Sequence, residues 1–494
     1  LAASLQNGDR YCPVAMVDDD PRLQGKKVRG LEVYSPTSIE KLCRRLRVSH
    51  VLLAVPSAKH SLRRRILEHL SEFAVHVQTI PDVDDIVSGK ARVDEISDVD
   101  VEDLLGRDPV PPDPGLLAAC IESKNVLVTG AGGSIGAELC RQIVALNPAR
   151  IVLLEISEPA LYQIDKQLRD IRARRDIECE IVPLLGSVYK EGRVLDVIRT
   201  FDVETIYHAA AYKHVPLVEQ NVFDGIENNV FGTMRAARAA VDGGVESFVL
   251  VSTDKAVNPT SIMGATKRLA ELLLQAENDR GVKTCFSMVR FGNVLASSGS
   301  VVPLFKEQIR QGGPITVTHP AIIRYFMTIP EAAELVIQAG SMASGGDVFV
   351  LDMGEPVRIR DLAYRMVNLM GLSVQDEANP DGDIPIEYVG LRPAEKLYEE
   401  LLIGSNVSGT EHPRILRADE EFLSASALES ILVGLAQARD DLDFERARRL
   451  LIQAVKEYCP VDVIDDLAWL QKIADNDFDP TDTIVDFPGV KIPS

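Results

Sequence analysis

Apolar positions along the chain follow two alternating periods. "CPVAMVDDD" (12–20), "HVLLAVPSA" (50–58) and "AVHVQTI" (74–80) are short apolar runs of buried-strand length. Between them Ile39, Leu42, Cys43 and Leu46 recur at helical spacing, and Leu62, Ile66, Leu67, Leu70 and Phe73 draw a second helical stripe. Strand–helix alternation predicts parallel βαβ units, so residues 1–108 read as a small Rossmann-like α/β domain. No glycine-rich turn follows its first strand, which favours a structural or regulatory domain over a nucleotide-binding one. "GRDPVPPDPG" (106–115) holds four prolines, and 109–118 predicts a stiff linker. A larger α/β unit spans 119–410. Residues 411–494 turn mainly helical in "ALESILVGLAQARDD", "FERARRLLIQAVKEY" and "VIDDLAWLQKIA", and end in a Pro- and Asp-containing tail from about Asp475.

The strongest local signal is "NVLVTGAGGSIGAELCRQI" (125–143). Val126, Leu127 and Val128 form a buried strand, Gly130, Gly133 and Gly136 follow as GxxGxxG, and Ile135, Leu139 and Ile143 repeat with helical period. A glycine triplet alone also fits an ordinary turn. Between a strand and a helix it fits a pyrophosphate, because backbone N–H groups and the positive helix end can approach the anion. Ser134 and Ile135, which open the helix, join the cofactor site. A second strand, "ARIVLLE" (149–155), ends in Glu155, about twenty-five residues past Gly130. A carboxylate there accepts ribose hydroxyls and repels a 2′-phosphate, which favours NAD over NADP. "ECEIVPLLGSV" (178–188) predicts a third strand that carries Ser187 and Val188 to the cofactor edge, and "ETIYHAAA" (204–211) a fourth. Small residues at Ala209, Ala210 and Ala211 let a dinucleotide lie close; helix–sheet packing is the plainer alternative.

"SFVLVSTDKAVNPTSIMGATKR" (247–268) repeats the arrangement of strand, polar residues and helix. Ligands of open α/β sheets sit outside the carboxyl ends of the strands, which places Ser252, Thr253, Asp254 and Lys255 in the crevice. Met263 and Lys267, four apart, share one face of the following helix.

Composition narrows the partners. With 46% hydrophobic and 26% charged residues, the 494-residue chain is globular. Lys and Arg number 53 against 74 Asp and Glu, a net charge of −21, so nucleic acid is not an expected partner. Seven cysteines with no CxxC pair argue against a disulfide framework or a zinc site, and the eight histidines show no metal-ligand spacing. His208 and His214 read as packing or substrate-contact residues. No apolar stretch reaches the roughly 18 residues that span a bilayer. "LAASLQNGDRY" at the start reads as the end of a helix, so the expectation is a fragment without membrane contact of its own, from a parent with an anchor upstream.

TGxxGxxG, Asn229 in "NNVFGT", the Ser/Thr after a strand and a residue–xxx–Lys helix together resemble the extended short-chain dehydrogenase/reductase superfamily. That family's signature is Tyr-xxx-Lys, and here Met263 occupies the tyrosine position. A thioether transfers no proton. "YHAAAYKHVPLVE", "STDKAVNPTSIMGATKR", "VRFGNVLASSGSVVPLF" and "GLRPAEKLYEEL" resemble more narrowly the UDP-N-acetylglucosamine 4,6-dehydratases of bacterial capsule, O-antigen and protein-glycan synthesis, in their long, membrane-anchored form.

The resemblance implies NAD, UDP-N-acetylglucosamine as substrate, a hydro-lyase reaction with retention at C5, and a cytoplasmic site on the inner membrane. It makes Lys255 the base at C5, Asp254 the acid at the C6 oxygen and Thr253 the partner of the C4 hydroxyl, while Lys267 holds the nicotinamide ribose. Those roles need a neutral Lys255 and a protonated Asp254, and burial pushes each that way. Lys213, Asn293, Arg324, Arg358, Arg392 and Glu395 are the substrate-binding candidates, the arginines because a guanidinium matches phosphate oxygens in a fork. The family's RPGEK reads RPAEK here, with Ala394 in place of glycine. Two other functions compete: an NAD-dependent nucleotide-sugar epimerase or oxidoreductase, and a non-catalytic NAD-binding sensor or scaffold. A second copy of the chain is a further candidate partner, since the helices around Met234–Val241 and Leu269–Leu274 have apolar faces that either pair subunits or belong to the core.

Overall fold

Aliphatic runs closed by glycine or polar residues become the strands of one sheet. The computed structural model describes residues 2–6, 11–55, 58–80, 96–99, 103–104, 107–108, 110–295, 297, 299–402, 406–460 and 464–475. The nine strands of the main sheet are β1 (Asn125–Thr129), β2 (Arg150–Glu155), β3 (Glu180–Leu185), β4 (Thr205–His208), β5 (Ser247–Val251), β6 (Cys285–Arg290), β7 (Asp347–Leu351), β8 (Val407–Gly409) and β9 (Ile415–Ala418). Their order is β8-β9-β7-β6-β5-β4-β1-β2-β3. The run from β7 to β3 is parallel, and β9 joins β7 antiparallel. Strand order reverses at β1 and β4, so the crevice opens over their carboxyl ends.

Helices cover both faces, as a doubly wound Rossmann fold requires. On one face, α1 (Ser134–Ala145), α2 (Glu158–Arg175) and a helix at Ile329–Ser341 bury Leu139, Ile143, Ile164, Leu168 and Val336 against the sheet. On the other lie α3 (Glu191–Thr200), α4 (Gly232–Gly243) and α5 (Ile262–Asp279), through Val194, Val197, Ala236, Ala240, Ala270 and Leu274. Every α5 side chain from Ile262 to Ala276 is buried. Its outer face (Leu269, Leu272, Leu273) meets Leu428, Ile431, Leu435 and Leu451 of two helices at Ala425–Asp440 and Phe444–Ala454. Each buried leucine contributes about 2 kcal/mol. The apolar face at Leu269–Leu274 is thus covered within the chain, and Ala236–Ala240 of α4 face the sheet: of the two alternatives for these helices, core is the one observed.

The N-terminal elements are shorter than the sequence suggests. The run at 12–20 reduces to a strand at Met16–Val17, and strands at His50–Leu53 and His76–Thr79 pair in parallel around a helix at His60–Leu70, the expected βαβ unit. Its core does not close on itself. Leu53, Leu67, Leu70 and Val77 share one cluster with Phe305, Leu362, Met366 and Leu369 of the lobe that covers the crevice. Asn368 donates to the Ser71 carbonyl at 2.8 Å, and Arg365 pairs with Glu68 at 3.3 Å. In the linker, Asp113 caps a short helix at Pro114–Ala118 by accepting from Gly115 and Leu116 N–H, so a turn of helix replaces the last part of the expected extended segment. Strand β9 carries the sheet past residue 410, and the helical region begins at Ala425. The tail beyond Asp475 lies outside the described residues.

Candidate active site

Two glycines set the close approaches that make the crevice. Gly130 has φ +65°, and a Cβ there would lie 2.8 Å from the Ala210 backbone. Only glycine lets the β1–α1 turn pass so near β4's extension. Gly264 does the same for α5: a Cβ would stand 2.2 Å from the Lys255 carbonyl oxygen. The helix therefore lies against the turn after β5 and brings Met263 and Lys267 beside Thr253–Lys255. Ser261 caps α5 by accepting from Gly264 N–H at 3.0 Å, and Glu219 accepts from Ile262 N–H at 2.6 Å.

The cavity over these elements has a volume of about 1060 Å³. Its wall includes Gly133, Ser134, Ile135, Gly136, Ala209 and Ala211 on the nucleotide side. Thr253, Lys255, Met263 and Lys267 stand at the centre, and Lys213, Asn293, Arg324, Arg392 and Glu395 on the far side. Gly130, Glu155, Ser187, Val188 and Ala210 are not among the residues that line the cavity, and Val188 is buried against α4 near Gly232. Glu155 is buried, and its carboxylate accepts from the N–H groups of Gly132 (2.8 Å), Ile156 and Ser157 (2.9 Å each). Of about four accepting positions, one is left. Three backbone donors thus occupy most of the carboxylate, and it holds the glycine loop in place. The space left by Gly130 and the N–H-lined start of α1 fit a dinucleotide.

Arg358 does not belong to the cavity. In the antiparallel pair that joins Ile323–Arg324 to Val357–Arg358, Arg358 lies opposite Ile323 and Arg324 opposite Val357. Side chains alternate faces along a strand, so the two arginines point to opposite sides. Arg324 is buried; Arg358 is exposed. Of the two histidines, His208 is a packing residue. Buried between Thr129 (2.8 Å) and Thr233 (3.2 Å), it has its pKa pushed down to about 3 by burial. His214 lines the cavity.

At the centre, Thr253 Oγ1 donates to Asp254 Oδ1 at 2.9 Å, and Lys255 Nζ donates to the same oxygen at 3.0 Å and to Asn293 Oδ1 at 3.4 Å. Asp254 is 1% exposed, and its other oxygen, Oδ2, has no hydrogen-bond partner among the described residues. Burial works against the charge on Lys255, but Asp254 and Glu399 outweigh it and hold the ammonium above its ordinary range. The expected neutral lysine is therefore not the resting state; its charge is held by Asp254, expected as a protonated acid, and by Glu399, which the expectation left out. Lys267 donates to the Val251 carbonyl at 2.8 Å, and burial brings its pKa down to about 8.

One residue here went unremarked in the sequence. Glu399, in "KLYEEL", is buried with Oε1 4.0 Å from Lys255 Nζ and 3.9 Å from Arg324 Nη2. Asn229 was legible only as part of a motif. Its amide accepts from Tyr212 N–H at 2.8 Å and donates to the Tyr212 carbonyl at 3.0 Å and to Thr266 at 3.1 Å, tying the Lys213 loop to α5.

A family model described as polysaccharide biosynthesis protein matches residues 126–420, which take in both glycine-built approaches and the Thr253–Lys255 turn. The chain belongs to this family. It is 46% identical over 399 residues to the capsular polysaccharide biosynthesis protein CapD of Staphylococcus aureus, covering 80% of this chain and 64% of that protein. It is 42% identical over 427 residues to the probable polysaccharide biosynthesis protein EpsC of Bacillus subtilis, covering 83% and 69%. The chain thus spans less than two thirds of the length of the first of these relatives. Among solved structures, Pen from Bacillus thuringiensis superposes with a TM-score of 0.53 at 30% identity, over 64% of this chain and 98% of that one. The family match ends at residue 420, so the two helices that cover α5 lie outside it. No helix among the described residues is long and apolar enough to cross a membrane.

Proposed function

We propose that the chain carries an NAD-dependent 4,6-dehydratase site for UDP-N-acetylglucosamine that gives the 4-keto-6-deoxy sugar with C5 retained. The observation that carries this reading is the contact of Thr253 and Lys255, both on the cavity wall, with the buried Asp254, together with a methionine where the superfamily's proton-transferring tyrosine stands. Bound NAD would accept hydride from C4 and later return it to C6. Gly133–Gly136 and Lys267 would hold it.

The side chains move the protons. The C4 hydroxyl proton passes through Thr253 to Asp254 along the hydrogen bond already formed between them. The C4 ketone acidifies C5–H, which Lys255 removes as a free amine. Asp254, now carrying the C4 proton, delivers it to the departing C6 oxygen, and water leaves. Lys255 returns its proton to C5. A buried acid and base at this spacing contribute about 10²–10⁴-fold. Arg324 and Arg392 suit the diphosphate, and Lys213 and Asn293 the sugar.

An epimerase needs only reversible oxidation at C4 and gives no role to an acid–base pair beyond it. Incubation with UDP-N-acetylglucosamine in deuterated water tests the reading by NMR. A 4-keto-6-deoxy product with one solvent deuteron at C5 is expected; a C4 epimer, or no turnover, contradicts it.

A further inference from the structure

In the proposed cycle, one proton on Lys255 has no destination. Lys255 rests as an ammonium, and an ammonium accepts no proton from C5. Asp254 is already committed to the proton that travels from the C4 hydroxyl to the C6 oxygen. Some other group must relieve Lys255 before it acts.

Few groups face Lys255 in this pocket. Asp254 shares its own turn, Arg324 comes from the neighbouring strand pair, and Glu395, Lys396, Glu399 and Glu400 come from the segment that closes over both. Lys267 and Arg392 stand further along the wall. Two of the carboxylates are engaged. Glu395 receives Arg324 and Thr318 at 3.3 Å and Arg392 N–H at 3.1 Å; Glu400 receives Lys396 at 2.5 Å and Asn258 at 3.4 Å. Glu399 is the exception. It is 8% exposed, lies on the cavity wall, and makes ion pairs at 3.9 and 4.0 Å with Arg324 and Lys255 but no side-chain hydrogen bond among the described residues.

We propose that Glu399 is the proton partner of Lys255. It takes one ammonium proton when the sugar is oxidised and gives it back when the product is complete. The N–H bond at Lys255 Nζ breaks and an O–H bond forms at Glu399 Oε1. Neutralising Asp254 with the C4 proton removes the ammonium's nearer anion and drives the transfer. The free amine then takes and returns the C5 proton, after which Glu399 reprotonates it, so neither residue is changed over a cycle. Burial favours the neutral carboxyl at Glu399; Lys255 opposes that, and Asp254 reinforces it. Glu399 acts through Lys255 and is a positioning residue in this sense.

The inference rests on the dehydratase reading, so the unaltered protein is assayed first; absence of the 4-keto-6-deoxy product there refutes that reading, not the role of Glu399. With activity established, Glu399→Gln forces Lys255 to lose its proton to solvent. Its kcat is expected to fall about 100-fold at pH 7 and to rise about tenfold per pH unit between pH 6 and 7.5, where the parent is flat, with NADH binding unchanged. A kcat within twofold of the parent, or a lower rate with the same flat profile, overturns the proposal. Should the Gln variant not fold, Glu399→Asp, one methylene shorter, is expected to keep the flat profile and KM but lose at least about fivefold in kcat. An unchanged kcat in that variant overturns it equally.

Discussion

Two clusters of buried charge flank strand β5, and they differ in how completely they are satisfied. Behind the crevice, Glu271 receives Arg290 at 2.8 and 2.6 Å, Arg268 at 3.1 Å and Ser252 at 2.6 Å, while Glu420 receives the two arginines at 2.6–3.0 Å. Glu271 and Arg290 are closed to solvent. In the crevice, Lys255 and Arg324 meet Asp254 and Glu399 at 3.0–4.0 Å, and one oxygen of Asp254 has no partner among the described residues. A network this dense in charge-assisted bonds, in which Arg268 Nε is left without a partner among the described residues, fixes geometry, here the distance between α5 and the ends of β5 and β6. A sparser one keeps donors and acceptors available to a reacting molecule. The first cluster is bonded on more of its atoms; the second is where the proposed proton transfers take place.

Removing one member of each sharpens the contrast. Arg290→Met leaves Glu271 buried without its main partner and should cost about 3–5 kcal/mol of stability in denaturant titration. Asp254→Asn should lower turnover by about 10²–10⁴-fold while its melting temperature stays near the parent's. Equal losses of stability in the two variants would break the distinction.

Acid should separate the clusters next. Burial tends to raise the Glu271 pKa, but Arg290 and Arg268 overcome it and bring it down to about 2. A carboxyl depressed in the folded state stabilises fully above its unfolded pKa near 4.5, and the contribution, on the order of 3 kcal/mol, is lost as pH falls from there toward 2. Stability measured by denaturant at descending pH should decline across that window in the parent and much less in Glu271→Gln.

The smallest effect is at the rim. Ala394 has φ +59°, a left-handed conformation that costs an L residue about 1–2 kcal/mol. This accounts for the glycine in the family's RPGEK. Ala394→Gly should raise stability by at most about 1 kcal/mol, since the glycine's greater freedom when unfolded offsets part of the relief.

The nucleotide side of the site was legible because its requirements are local. A strand, spaced glycines and a helix in one short stretch leave little freedom, and Gly133–Gly136 stand on the cavity wall as expected. Thr253–Lys255 and Met263–Lys267 were legible for the same reason, one from its place after a strand and the other from helical spacing. Glu399 was hidden because its segment, 395–402, has neither period, so "YEEL" does not say which carboxylate turns inward. Arg358 was misplaced because its orientation depends on the register with Ile323, a long-range pairing. The N-terminal helical stripes include the buried Leu42, Leu67 and Leu70 but also Leu62, which is exposed, and they did not show what covers Leu67 and Leu70, which is the lobe at 359–369.

The central claim is that a lysine takes the C5 proton in a site without the usual tyrosine. The most direct measurement is deuterium exchange at C5 of the sugar with Lys255→Ala in deuterated water, with NADH binding measured on the same preparation. The account predicts bound cofactor and no C5 exchange; exchange at the parent's rate in that variant would contradict it.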